Sequence, residues 1–105
     1  MHYAVQVSVF KNGDLRPKIE VTVNGKRRNW NIPRCSNHVA YYLAVLSCLT
    51  DAIANGASSV TVEIGDQTAR RQLNGQEMPR QKHTIALHEA VRVAASALNG
   101  TFVVI

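Results

Sequence analysis

The sequence predicts a mixed α/β domain, with a five-stranded sheet flanked by helices and the element order βββαβααβ. Two observations predict this class. Short segments near both ends of the chain alternate apolar and polar residues, as half-buried strands do, and two longer segments repeat apolar residues every three or four positions, as amphipathic helices do. The 105 residues, 46% hydrophobic and 18% charged, suit one folded domain spanning 1–105.

Three strands open the chain as an antiparallel meander. Residues 3–9 and 19–23 alternate apolar and polar side chains, and a turn is expected at 12–14 between them. Asn24-Gly25 predicts a tight hairpin, because both residues tolerate the positive φ that such a turn requires. The third strand is expected over 26–32, and Pro33 ends it.

The first long helix is expected to begin at Ser36 or Asn37 and to end at Gly56. A fourth strand follows over 60–64. Because a helix connects it to the preceding strands, we expect it to run parallel to the first strand. The apolar residues predicted to face the core from this helix are Val39, Tyr42, Leu43, Leu46, Leu49 and Ile53.

The last third of the chain predicts two helices and a final strand. Asp66 is expected to cap a short helix over 67–73, which Asn74-Gly75 ends. A second long helix starts at Thr84 and stops before Asn99-Gly100, and residues 101–105 form the fifth strand. Leu87, Val91, Ala94 and Leu98 form the apolar face of that helix.

Residues 62–75 read Val-Glu-Ile-Gly-Asp-Gln-Thr-Ala-Arg-Arg-Gln-Leu-Asn-Gly, and the first long helix starts at 36–42 with Ser-Asn-His-Val-Ala-Tyr-Tyr. These two segments resemble the ribonuclease H-like family, in particular its type 1 and reverse-transcriptase-like members. The first is similar to the family's strand, Gly-Asp-Ser and Arg-Gln-Leu-Asn-Gly segment, shortened by one residue, and the second is similar to the family's Thr-Asn-Asn pattern. The resemblance in element order covers the whole chain and implies the ribonuclease H-like fold.

The resemblance also implies a two-metal nuclease, whose carboxylates come from strand one, the first long helix, the end of strand four and the region after the last strand. Of these positions only Asp66 carries an acid here. Strand one offers Gln6 and Ser8, the helix position aligns with Tyr41, and the sequence stops at Ile105. We therefore expect a catalytically degenerate member that binds without cutting, with Tyr41 covering the former site and no cofactor. Magnesium is expected only if the chain cleaves after all.

The basic balance of the chain predicts an anionic partner, and nucleic acid is the first candidate. Twelve Lys and Arg against seven Asp and Glu give a formal charge of +5, although such an excess also serves solubility alone. Trp30 belongs to the core more readily than to a stacking platform. The residues expected to contact nucleic acid are Lys11, Arg16, Lys26, Arg28, Arg34, Asn37, His38, Arg70 and Arg71.

Several alternatives remain open for these residues. Asp66 serves either as a surviving metal ligand or as a helix cap, His38 either contacts a phosphate or sugar or caps its helix, and Arg70 and Arg71 either hold a phosphate or form a solvated helix face. The four histidines lack zinc-site spacing, and the two cysteines suggest reduced thiols. The sequence shows neither a leader-like N-terminal run nor an apolar run long enough to span a bilayer, so we expect a cytoplasmic protein.

Two rival functions accompany the binding hypothesis. The first is an active nuclease with rearranged acids, for which the candidates are Asp14, Glu63, Asp66 and Glu89. The second is a protein-interaction or self-assembly module, with a homodimer formed through an exposed strand edge.

Overall fold

A computed structural model of the protein describes residues 1–11 and 17–105, with only the backbone of Lys11, so the turn expected at 12–14 lies outside the described residues. The described residues form eight elements in the order that the sequence predicts. These are β1 (His2–Lys11), β2 (Pro17–Val23), β3 (Lys26–Asn31), α1 (Asn37–Ala54), β4 (Ser59–Ile64), α2 (Gln67–Leu73), α3 (Lys82–Ala97) and β5 (Thr101–Val104).

The five strands form one sheet in the order β3-β2-β1-β4-β5. β1, β2 and β3 pair antiparallel as the predicted meander. β4 pairs parallel with β1, as its helical connection predicts, and β5 pairs parallel with β4. The predicted hairpin is confirmed at Asn24 and Gly25, whose φ angles are 49° and 86°. The mixed α/β class is therefore confirmed.

The helices cover one face of the sheet. α1 packs against β1, β2 and β4, and α3 packs mainly against α1. Tyr3, Val5 and Val7 point into this core from β1, while the alternate residues Gln6 and Ser8 are exposed on the opposite face. None of the helices in the described ranges is both long enough and apolar enough to cross a membrane.

The predicted apolar stripe of α1 is partly wrong. Tyr42 and Leu49 are fully buried as expected, but Leu43 is 37% exposed. Most of the other buried positions of α1 carry small residues, which let the helix backbone approach the sheet closely. The buried residues of α1 are Ala40, Tyr42, Ala44, Val45, Cys48, Leu49 and Ala52.

α3 begins two residues before the predicted start, at Lys82, and Gln81 occupies its N-cap position. Val91 and Leu98 are buried, as the sequence predicts, and His88 joins them on the buried face.

Asn74 connects the end of α2 to the outer edge of β5. Its side-chain Nδ2 donates to the carbonyl oxygen of Val104 at 2.5 Å, and its Oδ1 accepts from the N–H of Val104 at 3.0 Å. The side-chain amide of Asn74 thereby makes the two backbone hydrogen bonds with Val104 that a neighbouring strand would otherwise make. The pairing anchors α2 to the sheet, and it occupies backbone groups that would otherwise be open to strand addition.

Gly100 allows the chain to enter β5. A Cβ atom on Gly100 would lie 1.3 Å from the backbone carbonyl oxygen of Ser58, so no larger residue fits without moving the backbone. This close approach sets the start of β5 against the start of β4, where Ser59 pairs with Thr101.

Candidate functional site

Tyr41 lies where α1 passes over the carboxyl-terminal ends of β1 and β4. Its hydroxyl oxygen is 4.0 Å from the position that a Cβ on Gly65 would take. Burial raises the pKa of this phenol, the neighbouring carboxylate of Asp66 raises it further, and a hydrogen bond from the backbone of Val9 lowers it. The phenol of Tyr41 therefore occupies the space between Val9 on β1 and Asp66 beyond β4.

Asp66 is the N-cap of α2. Its Oδ1 accepts a hydrogen bond from the backbone N–H of Ala69 at 2.9 Å, and its backbone has the extended conformation of a cap residue. The predicted capping role is confirmed. One carboxylate oxygen of Asp66 is thus already engaged by the backbone of its own helix.

The sequence-based placement of the missing strand-one acid at Gln6 or Ser8 is wrong. Both side chains lie on the exposed face of the sheet, whereas Tyr41 approaches from the helix-covered face. Val7 pairs with Ile64, so Val9, two residues on, lies on the helix-covered side at the level of Asp66. Strand one therefore places Val9 next to Tyr41 and Asp66, and an apolar side chain supplies no ligand.

These residues do not fit a pair of divalent cations. Magnesium and similar hard cations need several oxygen ligands, preferably carboxylates. The side chains that meet here are a protonated phenol, an apolar Val9 and one carboxylate engaged as a helix cap. Across the residues that the structure describes, no three His, Cys, Asp or Glu side chains lie close enough together to hold a metal ion.

The first turn of α1 carries Ser36, Asn37 and His38 beside this space. Ser36 is the N-cap, and its Oγ accepts from the N–H of Val39 at 3.2 Å, which confirms one of the two predicted caps. His38 does not cap the helix. The Asn37 Oδ1 is buried and has no hydrogen-bond partner among the described residues.

His38 belongs to a polar cluster centred on Gln72 of α2. The Gln72 Oε1 accepts from the hydroxyl of Tyr42 and from Nε2 of His38, both at 2.7 Å. Nε2 of His88 on α3 donates to the Gln72 carbonyl oxygen at 2.9 Å. The cluster joins α1, α2 and α3. Sequence reasoning missed it, because Gln72 and His88 carry no pattern that identifies their partners.

Lys26 and Arg28 lie on the helix-covered side of β3, and β2 and β1 separate this strand from β4, which leads into Asp66. Nη1 of Arg28 is 3.9 Å from Oδ2 of Asp51, near the carboxyl-terminal end of α1. Arg27 points to the opposite face, where its Nε is 3.3 Å from Oε1 of Glu20. The basic segment of β3 is therefore divided between the two faces of the sheet.

The other predicted contact residues are dispersed. Arg34 lies exposed in the segment between β3 and α1. Arg71 approaches Glu77, with 4.0 Å between Nε and Oε1, while Arg70 shares the helix face of Asn74. The side chain of Lys11 and the whole of Arg16 lie outside the described residues, as does Asp14.

The predicted contact residues therefore do not form one group. Arg34, Asn37 and His38 lie at or just before the start of α1, and Arg70 and Arg71 lie on α2. Lys26 and Arg28 form a pair on β3. Along the strand direction, Lys26 is level with Val62, four residues or about 13 Å before Asp66, whereas Arg28 is level with Ile64, only two residues before it. The β3 pair is therefore separated from Asp66 mainly across the sheet, because β2 and β1 lie between β3 and β4.

The trace of the chain is similar to those of solved ribonuclease H structures. The N-terminal RNase H domain of a Mycobacterium tuberculosis protein superposes with a TM-score of 0.83 and 17% identity, over 99% of this chain and 81% of that one. Ribonuclease H1 of Halobacterium salinarum superposes with a TM-score of 0.83 and 14% identity, over 100% of this chain and 86% of that one. A ribonuclease H1 isolated from compost was solved in complex with an RNA/DNA hybrid. It superposes with a TM-score of 0.84 and 16% identity, over 98% of this chain and 83% of that one.

Sequence comparison gives a second and independent result. No curated protein matches the chain. The family model described as reverse transcriptase-like matches residues 21–102, which include every element from β3 to α3. Together with the superpositions, this match establishes that the chain belongs to the reverse transcriptase-like family of the ribonuclease H-like superfamily.

Proposed function

We propose that this chain is a non-cutting ribonuclease H-like module that binds nucleic acid through a basic surface. The observation that carries the proposal is the position of Tyr41, whose phenol fills the space between Val9 and Asp66. A large neutral side chain in that space leaves room for neither a second carboxylate nor the ions it would bind.

Charge supports nucleic acid as the partner. The chain carries a formal charge of +5, and one structure of the same fold was solved in complex with an RNA/DNA hybrid. Half of the chain's Lys and Arg side chains make no ion pair or hydrogen bond with any described residue, so they are available to phosphates. These six are Lys18, Lys26, Arg70, Arg80, Lys82 and Arg92.

The rival reading as a nuclease with rearranged acids draws no support from the described side chains. Glu63 is exposed on the sheet face away from Tyr41, and Glu89 is exposed on α3. Neither lies with Asp66 in a group that a metal could use. We propose that no cofactor takes part in binding.

Strand-edge dimerisation is the other function that the sequence left open. At the β5 edge, Asn74 already pairs with Val104, so a second copy would have to add to β3. β3 carries Lys26, Arg27 and Arg28, and like charges at an edge oppose pairing with an identical strand. We propose that the chain binds as a monomer. Light scattering over a range of concentrations tests this, and a dimer mass at low concentration would contradict it.

Binding at two salt concentrations tests the proposed function. We expect a labelled RNA/DNA hybrid and a labelled single strand to bind at 50 mM salt. Affinity should fall roughly a hundredfold by 200 mM salt for about four phosphate contacts, because counterions are released on binding. Absence of binding to both probes at 50 mM salt would reject the proposal.

A further inference from the structure

Two cations and an aromatic ring lie in line on one face of the edge strand β3. Lys26, Arg28 and Trp30 are each two residues apart, so their side chains emerge on the same side at intervals of about 6.6 Å. The contact of Arg28 with Asp51 shows that this side faces α1. Trp30 is half-buried and packs partly against the core, so part of the residue remains accessible at the end of the row. We call these three residues the β3 strip.

The first two residues of the β3 strip line a cleft between the β2–β3 hairpin and the end of α1. Its volume is about 380 Å³. The lining residues are Met1, Tyr3, Val23, Asn24, Lys26, Arg28, Asp51 and Asn55. Lys26 and Arg28 both line this cleft, so an extended chain lying along β3 would meet both cations.

Asp51 positions the guanidinium of Arg28 without neutralising the cleft. Its Oδ2 is shared between Arg28 at 3.9 Å and the hydroxyl of Tyr3 at 3.4 Å, and its Oδ1 accepts from Nδ2 of Asn55 at 3.4 Å. The Arg28 side chain is 53% exposed, so several of its N–H groups remain available. Lys26 is exposed and has no ion-pair partner within the described part of the chain. The cleft therefore contains the positive charges of Lys26 and Arg28 and the single negative charge of Asp51, so a net positive charge remains.

We propose that the β3 strip binds one strand of single-stranded nucleic acid, at an edge of the sheet that β2 separates from β1 and Val9. This inference rests on the proposed function and adds a location and a class of ligand to it. Lys26 and Arg28 contact successive phosphates, and the accessible part of Trp30 stacks against a base. The strip presents a single line of contacts, whereas a duplex presents two phosphate lines across each groove.

Adjacent arginines supply a matched pair of variants. Arg28→Gln and Arg27→Gln remove the same charge from neighbouring positions on opposite faces of β3. The probe is a labelled oligothymidylate of about 12 nucleotides, which has no stable secondary structure and is long enough for the strip. We expect Arg28→Gln and Lys26→Gln each to weaken binding roughly fivefold and to lower the salt slope by about 0.7, while Arg27→Gln changes affinity less than about twofold.

Trp30 provides a second readout, because it is the one tryptophan in the chain. Its fluorescence should change on titration with oligothymidylate, and the change should require higher concentrations in Arg28→Gln. Circular dichroism confirms that each variant is folded. Equal losses in Arg27→Gln and Arg28→Gln, or unchanged Trp30 fluorescence at saturation, would overturn the β3 strip while leaving the proposed function standing.

Two further outcomes separate the inference from its rivals. In a competition experiment, unlabelled polyglutamate is compared with unlabelled oligothymidylate at equal total charge. If polyglutamate displaces the labelled probe equally well, the ligand of the β3 strip is an acidic polypeptide and the inference of a nucleic-acid ligand is overturned. Absence of binding by the wild-type chain to every nucleic acid would reject the proposed function itself. Oligothymidylate binding that depends on Arg28 but not on Arg27 supports both the proposed function and the binding site at the β3 strip.

Discussion

The phenol of Tyr41 lies beside the carboxylate of Asp66, and the charge of Asp66 adds to burial in raising the pKa of Tyr41. An acid at the Tyr41 position would meet Asp66 across the same space and create a pair of carboxylates. The phenol instead stays protonated at neutral pH and fills that space. The residue at this position of α1 therefore determines whether a second carboxylate faces Asp66.

Replacing Tyr41 with an acid should create metal affinity. In Tyr41→Glu, two carboxylates share a cavity vacated by the ring, and we expect Mn²⁺ to bind at least about tenfold more tightly than in the wild type. Tyr41→Gln has the same shape without the charge and serves as the control. Paramagnetic broadening of NMR signals around Asp66 measures the binding. Equal Mn²⁺ affinity in the two variants would show that the Tyr41 position does not face a potential metal site.

The Asn74 pairing with β5 should carry a measurable share of the stability. Asn74→Asp replaces the Nδ2 donor with an oxygen that faces the Val104 carbonyl, and we expect the free energy of unfolding to fall by about 2 kcal/mol. Asn29→Ala, at an exposed position on β3, should change it by less than about 0.5 kcal/mol. Urea denaturation measures both variants, and similar midpoints for the two would refute the anchoring role.

The cluster around Gln72 should behave as a coupled unit. Gln72→Leu leaves the buried hydroxyl of Tyr42 and the Nε2 of His38 without their acceptor, and we expect a loss of about 2–3 kcal/mol. Tyr42→Phe alone should cost about 1 kcal/mol. The double variant should be less destabilised than the sum of the two, because the second change removes a donor that the first orphaned. Urea denaturation measures the free energy of unfolding of each variant. If the loss in the double variant equals the sum of the two single losses, Gln72 and Tyr42 do not share a hydrogen bond.

Stability should decline above pH 9. Burial raises the pKa of the Cys48 thiol from 9.0 to about 11 and that of the Tyr42 hydroxyl from 10.0 to about 12. Both groups are more easily ionised in the unfolded chain. The stability that these two groups contribute is therefore fully present at pH values below the pKa values of the unfolded chain. It is lost as the pH rises toward the pKa values of the folded chain, by up to about 1.4 kcal/mol per pH unit for each group.

Urea midpoints between pH 8 and pH 11 measure this decline. The Cys48→Ala variant should be less stable at pH 8 but should lose less stability between pH 9 and pH 11 than the wild type. Parallel pH profiles for wild type and variant would show that Cys48 ionisation does not contribute.

Local patterns predicted most of the fold. Strand alternation, the Asn24-Gly25 turn and the Asp66 cap depend on near neighbours in the sequence, and each is confirmed. The choice between Tyr41 and Tyr42 was also predictable, because adjacent helix residues cannot share one buried face and Tyr42 fits the spacing.

Features that depend on distant contacts were not predictable. Gln6 and Ser8 are the polar residues of strand one, but only the packing of α1 shows that the former site lies on the apolar side, at Val9. α1 has apolar residues around most of its circumference, so spacing alone could not reveal that Leu43 is exposed. The separation of the β3 pair from Asp66 likewise follows from the strand order, which places β2 and β1 between β3 and β4.

The most direct measurement of the central claim is incubation of the protein with a labelled RNA/DNA hybrid in magnesium or manganese, with Asp66→Asn as a parallel sample. Because Tyr41 occupies the space that metal ions would need, we predict a hybrid that stays bound and intact in both samples. Cleavage by the wild type that Asp66→Asn abolishes would contradict the account.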